Sequence, residues 1–318
     1  MKIHTAGLLL GCAIALASVA APPAAHAGGK EFAFGVIGHV LRTGDGETAL
    51  QEAIAETDAD NLAFVVANGI KSAAEPCTDA LYQRRRAMLD SAKNGLVLSL
   101  SASDWTGCRN SQGKTAAVER LNRLRELFFA DDFTLGGTRL PVVRESATAK
   151  FRAYAENARW EIGQVMFATI NLPANNNHYR TEAGRNSEFE DRAIANRDWL
   201  HRLFLFATRK KMAAIVLFCE GDPFDEPGLL ERLTPTPRRD GFTEVRKQLR
   251  DLSAKYPGKV LVIHAASGRE NLPRDIAWDG RLGSLLVESG WRRITVRPGT
   301  PTLFEPNALP AERRQPAQ

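Results

Sequence analysis

Short apolar runs recur along the chain with helically spaced segments between them. Phe32 to Gly38, Leu62 to Ala67, Leu96 to Leu100, Val165 to Ile170, Ala213 to Cys219 and Val260 to Ile263 are apolar on both faces, the pattern of strands in a covered sheet. Thr48 to Glu56, Leu81 to Ala92, Ala116 to Phe129, Phe189 to Ala207 and Phe242 to Lys255 carry helical spacing. That alternation predicts an α/β fold with some strands parallel and crossed over by helices. A closing strand, Arg293 to Arg297, alternates Ile294 and Val296 with polar neighbours, as a sheet edge does. Asp131 to Lys150 and Asn175 to Asn186 are polar and rich in Asn, Thr and Gly, which predicts long surface excursions. No internal repeat is visible. The segment from Pro310 to Gln318 has no apolar face and is expected to be a disordered tail.

At the N-terminus the apolar run from Ala6 to Val19 follows Lys2 and leads to Ala25-His26-Ala27, the small-x-small form of a signal-peptidase site. Residues 1–27 are therefore predicted to be a signal peptide, residues 28–309 one domain and residues 310–318 the tail. The apolar run falls short of the ~20 residues that span a bilayer core, so no transmembrane segment is expected. Leu9-Leu10-Gly11-Cys12 resembles a lipoprotein box, but almost no hydrophobic stretch precedes its cysteine. The predicted location is periplasmic or secreted.

Composition narrows the function classes. With 318 residues, 44% hydrophobic and 25% charged, the chain is of ordinary globular type. The net charge of +5 is small, and the basic runs Arg84-Arg85-Arg86, Arg209-Lys210-Lys211 and Arg292-Arg293 lack interleaved aromatics. They read as solvated faces, and no nucleic-acid partner is expected. Past the leader three cysteines remain. Cys77 and Cys108 lie in polar loops and can pair in an oxidising compartment, leaving Cys219 buried in its strand and free; a bridge to Cys219 is the alternative. No C-x₂-C or H-x₃-H spacing points to zinc.

In an open α/β sheet the working crevice lies beyond the carboxyl ends of the strands. Those junctions are Gly38-His39, Asn68-Gly69, Ser101-Ala102-Ser103-Asp104-Trp105, Glu220-Gly221-Asp222 and His264-Ala265-Ala266-Ser267-Gly268. Their order and spacing, from Phe32 to Phe304, resemble the calcineurin-like metallophosphoesterases. That family carries D-x-H, G-D, G-N-H-D or G-N-H-E, an isolated His and G-H-x-H at its strand ends. Asp104-Trp105, Cys108 and the helix from Glu119 to Phe129 resemble an exported bacterial branch of the family, as do Trp199-Leu200 and Asn175-Asn176-Asn177-His178. The resemblance implies an αββα sandwich with mixed β-sheets and, for an active member, a divalent metal pair and phosphoric ester hydrolysis.

The departures from that pattern are systematic. The first Asp and the His of D-x-H correspond to His39 and Leu41, and the Asp of G-D corresponds to Gly69. The Asn and His of the third box correspond to Ala102 and Ser103, leaving Asp104. In the last box either His264 and Ala266, or Ala266 and Gly268, take the two imidazole positions. A metal pair ~3.5–4 Å apart needs a bridging carboxylate, and Gly and Ala offer no side-chain donor. No cofactor is therefore expected. The expectation is a metallophosphoesterase-fold protein that has lost its dinuclear site and serves as a non-catalytic binding or scaffold protein, with an unidentified ligand or protein partner. The alternative is an active phosphoesterase with a rearranged ligand set.

The residual pocket is expected to draw on His39, Asn68, Ser103, Asp104, Asp222 and His264. His39, Asp222 and His264 could also hold a single metal, and each histidine could equally be a hydrogen-bonded strand-end residue. Asp104 is a candidate general base but better suited to anchoring the loop that holds Cys108. Gln112-Gly113-Lys114-Thr115 lacks the first glycine of a phosphate loop. A metal-free hydrolase using Asp104 or Asp222 with His264 lacks a nucleophile, since Ser267, the nearest serine, has no evident acid–base partner.

Overall fold

The computed structural model describes residues 29–42, 46–181, 186–226, 239–266 and 275–307. The predicted signal peptide, Cys12, Ser267, Gly268 and the predicted tail lie outside the described residues.

Two sheets stack face to face. The first has strand order β12-β11-β1-β2-β3, with β1 Phe32–Ile37, β2 Val65–Asn68, β3 Leu96–Ser99, β11 Trp291–Val296 and β12 Phe304–Pro306. The second runs β4-β5-β6-β7-β8-β10-β9, from β4 Val143–Arg144 and β5 Ala158–Ile162 through β6 Val165–Thr169, β7 Ala214–Gly221 and β8 Lys259–Ala266 to β10 Leu282–Leu286 and β9 Ala277–Asp279. Parallel pairs β1·β2, β2·β3, β6·β7, β7·β8 and β8·β10 form the centres, and antiparallel strands flank them. Between the sheets lies an aromatic core in which Phe64 stacks on Phe34 and meets Trp160 and Phe167 edge-on.

Helices cover both outer faces. On the first sheet, α1 Gly46–Asp58, α2 Asp79–Asp90 and α4 Ala117–Phe128 bury Leu50, Ile54, Tyr82, Leu89, Leu121, Leu124 and Phe128. The side chain of Thr78 caps α2 by accepting from Leu81 N. On the second sheet, α5 Ser187–Arg209 and α6 Thr243–Lys255 bury Trp199, Leu203, Val245 and Leu249. The arrangement is an αββα sandwich with mixed sheets, as the sequence predicts. No helix among the described residues is long and apolar enough to cross a membrane.

Two expectations are corrected. The closing strand is not an edge, because β12 pairs outside β11 while β1 pairs on its other side. The segment from Asp131 to Lys150 is no surface excursion. It buries Leu135, Val142, Arg144 and Glu145, carries β4, and bonds Leu135 to Leu96 across the end of the first sheet. Its polar composition concealed this because Arg144 buries its guanidinium against the carbonyls of Asp131, Phe133 and Ala155.

Candidate functional site

Because β1, β2 and β3 are parallel, their carboxyl ends bring His39, Asn68 to Lys71 and Ser101 to Asp104 to one edge, where the end of β7 adds Glu220. The short helix α3, Ala102–Trp105, starts here. Asp104, fully buried, accepts N–H bonds from Ile70 (2.9 Å) and Lys71 (3.3 Å) on one oxygen and from Ser101 (2.7 Å) on the other. It thereby ties the β2 junction to the β3 junction. Its carbonyl accepts from the Tyr82 hydroxyl at 2.8 Å, and Cys108, four residues on, is bridged to Cys77 with Cα atoms 5.8 Å apart. Cys219 is free and buried.

Lys71 is the cation of this centre. Only 1% exposed, it donates from Nζ to the carbonyls of Ser72 and Ser103, each at 2.7 Å. The Ser103 hydroxyl donates to Lys71 O at 2.7 Å, and it also lies 2.9 Å from Ser101 Oγ and 3.3 Å from His39 Nε2. His39 Nε2 faces the Lys71 carbonyl at 3.1 Å, and its Nδ1 accepts from Arg42 Nε at 3.3 Å. A carbonyl can only accept, so the imidazole is neutral with its proton on Nε2. Glu220 Oε1 lies 3.7 Å from Nδ1, while Oε2 accepts from Ala102 N at 2.6 Å and Ala174 N at 2.8 Å. One carboxyl thus joins the crevice ends of the two sheets.

Gly69 fits this crowding because it has no Cβ. Its φ is +72°, and a Cβ there would stand 2.6 Å from Ser101 Oγ and 3.0 Å from His39 Nε2. Side chains of the neighbouring junctions occupy the space next to the position that resembles the family's bridging carboxylate.

Burial sets the electrostatics. It pushes the Glu220 carboxyl up to about 7, against the pull of the Ala174 and Ala102 N–H groups. Asp104 is raised by burial and drawn back by His39, and burial lowers both His39 and Lys71.

Asp222 and His264 form a second group. Ile263 faces the inter-sheet core, so His264 lies on the outer face of the second sheet, in register with Cys219. Its Nε2 is 3.0 Å from Ser284 Oγ on β10 and 3.9 Å from Asp222 Oδ2, and its Nδ1 is 3.1 Å from the carbonyl of Ala266. These residues line a cavity of about 200 Å³ with Phe224, Arg250 and Leu282. The six residues expected in one pocket therefore divide. His39, Asn68, Ser103 and Asp104 share the closed centre, and Asp222 and His264 share the outer cavity.

Asn175 to His178, the polar segment after β6, turns through three consecutive left-handed residues: Asn176 (φ 56°), Asn177 (φ 53°) and His178 (φ 56°). Such a run is costly for residues with a Cβ, and side chains hold it. Asn176 and Asn177 bond the backbone of Gly241, buried Arg192 donates to Asn177, and His178 meets Glu188 at 2.7 Å. Lys71 and Ser284 carry no mark in the sequence, and Ser101 and Glu220 stand in strand-end junctions without being among the expected pocket residues. Glu220 alone carried a signal, an acid directly ending a fully apolar strand.

No protein-family model matches the sequence. No curated protein matches it either. In fold the chain is similar to several solved structures. GAP50, described as the anchor in the inner membrane complex of Plasmodium, is 11% identical over 84% of this chain and 81% of its own, with a TM-score of 0.45. A dimetal phosphatase from Danio rerio is 11% identical over 86% of this chain and 98% of its own, with a TM-score of 0.48. The purple acid phosphatase PPD1 from yellow lupin is 9% identical over 84% of this chain and 49% of its own, with a TM-score of 0.46.

The side chains at the strand ends do not fit a metal pair. Asp104 and Glu220 already accept backbone N–H groups, His39 presents its Nε2 proton to a carbonyl, and the Lys71 ammonium, held by the carbonyls of Ser72 and Ser103, adds a positive charge that disfavours a further cation near His39. Asn68 Oδ1 is buried without a partner, but it is one neutral oxygen. Among the described residues no group of three or more His, Cys, Asp or Glu could hold an ion.

Proposed function

We propose that the chain is an exported metallophosphoesterase-fold protein whose dinuclear site has been replaced by an internal polar network, and that it acts as a non-catalytic binding or scaffold protein. The observation that carries this reading is Lys71. Its buried ammonium is held by the carbonyls of Ser72 and Ser103, while its backbone N–H donates to Asp104 and its carbonyl faces His39 and the Ser103 hydroxyl, at junctions that resemble those where the family gathers its metal ligands. A cation there repels a metal ion, and the hydrogen bonds of His39 and Glu220 oppose the approach of a second one. The order of the strand-end junctions and the αββα layers support the family, and the Ala25-x-Ala27 ending and the Cys77–Cys108 bridge support export. The exposed polar rim of the closed centre, where Arg42 and Asn175 lie, is the proposed binding face.

The test uses the mature protein as it stands. After loading with Zn²⁺, Mn²⁺ or Fe²⁺ and desalting, metal per chain is measured and aryl phosphate mono- and diesters are assayed. The expected result is no stoichiometric metal and no turnover above background. Two ions per chain, or turnover lost with a chelator and in Asp104→Ala, overturns the proposal in favour of an active phosphoesterase with rearranged ligands.

A further inference from the structure

The outer cavity holds a nucleophile and a base in bonding contact. The Ala266 carbonyl facing His264 Nδ1 at 3.1 Å can only accept, so Nδ1 carries the proton. Nε2 then presents a lone pair, and the Ser284 hydroxyl, 3.0 Å away, donates to it. This is the contact that activates a serine, with a backbone carbonyl orienting the imidazole where an acid commonly does so. Asp222 Oδ2, 3.9 Å from Nε2, is placed to stabilise the imidazolium that forms when the serine proton arrives. Asp222 is itself fixed by accepting from Phe224 N at 2.8 Å. Burial lowers His264 and so favours the neutral ring, the form that can accept the serine proton.

The fold leaves Ser284 accessible, with His264 buried behind it. Helices α5 and α6 pack on β6, β7 and β8, whereas β10 and β9 lie beyond them at the edge, and Ser284 lines the open cavity. The walls combine Phe224, Leu282 and Leu286 with Ser284, His264 and Arg250. A volume of about 200 Å³ takes a short acyl chain.

We propose that Ser284 is a covalent acyl acceptor for small carboxylic esters, with His264 as its base. Ser284 Oγ bonds to the ester carbonyl carbon as its proton passes to His264 Nε2. The carbon–oxygen bond to the alcohol then breaks, and the alcohol leaves with that proton. The chain keeps an acyl ester on Ser284 and a neutral imidazole. This site is separate from the closed centre and does not rest on the reading of it.

The full mature chain is treated with p-nitrophenyl acetate, and nitrophenolate release is followed together with peptide mass mapping. The expected result is a burst approaching one per chain and one acetyl group on the peptide containing Ser284. Ser284→Ala loses the burst, and His264→Gln slows it by about 10²-fold or more. Should His264→Gln disturb packing, Asp222→Asn carries the test, because it leaves nucleophile and base in place. It slows acylation and moves the midpoint of the pH–rate profile to lower pH, since the imidazole loses its counter-charge. Absence of a burst with acetate, acetyl on His264 or a lysine instead, or a burst unchanged in Ser284→Ala overturns the assignment.

Discussion

Glu220 reaches from the end of a fully buried strand to two N–H groups on opposite sides of the crevice, and burial lifts its carboxyl to about 7. An unfolded chain releases that proton near the ordinary glutamate value, whereas the folded chain keeps it until about pH 7. Between those values the unfolded state binds fewer protons, so stability falls as pH rises from about 4.5 to about 7 and stays lower above. The loss is on the order of 3 kcal/mol. Glu220→Gln keeps an oxygen for Ala102 and Ala174 and cannot ionise. Urea midpoints from pH 5 to 8 should therefore slope down for the native chain and run nearly flat over that interval for the variant; equal slopes would refute the assignment. Glu220 shows why residue-level reading stops short. An acid ending an apolar strand signals a buried role, but its partners lie 46 and 118 positions away. Asp104 was more legible, since its bond to Ser101 N is local.

Elements were legible where both faces are apolar. β1, β2, β3, β6, β7 and β8 follow the apolar runs to within a few residues, because a strand buried on both sides leaves no polar positions to confuse the pattern. β10 and β9 were hidden for the converse reason. β10, Leu-Gly-Ser-Leu-Leu, has one face open to the outer cavity, and β9 is exposed throughout. Ser284 therefore escaped notice along with the strand that carries it. The bridge between the loop ahead of α2 and the loop after α3 was inferred from compartment and loop position, and it joins cysteines 31 residues apart. On loop entropy its removal should lower stability by about 3–4 kcal/mol. Denaturant titration of the Cys77→Ser, Cys108→Ser double variant measures this, and a loss below about 1 kcal/mol would mean that the two loops are already held by Asp104 and Tyr82.

The whole molecule is organised by one apolar layer between two sheets, into which Phe34, Phe64, Trp160, Phe167 and Phe218 converge from both sides. Layer order could be inferred from the alternation of strands and helices, but the contacts that fill the crevice could not. They depend on where four junctions from two sheets meet in space, and on Lys71, whose neighbours in sequence give no reason to expect a buried ammonium. At this scale the biosynthetic prediction is that the first 27 residues are absent from the working protein. Intact-mass measurement on protein exported by a Gram-negative host should find a chain beginning near Gly28 with the cysteine bridge intact. Retention of Met1, or a lipid on Cys12, would contradict it.

The crowding around Gly69 also constrains the order in which substitutions can be accepted. Installing an acid there first meets Ser101 and His39 and a left-handed backbone, so a direct route to a carboxylate at this position passes through a poorly folded intermediate. Shrinking the imidazole first opens a different route. In a double-mutant cycle Gly69→Asp should cost at least 1 kcal/mol less in a His39→Ala background than in the native one. Additive effects would show that the two positions do not obstruct one another. If coupling is found, the order in which substitutions arrive decides which variants of this sequence can be reached, because a crevice filled by histidine resists a larger residue at Gly69 through its own packing.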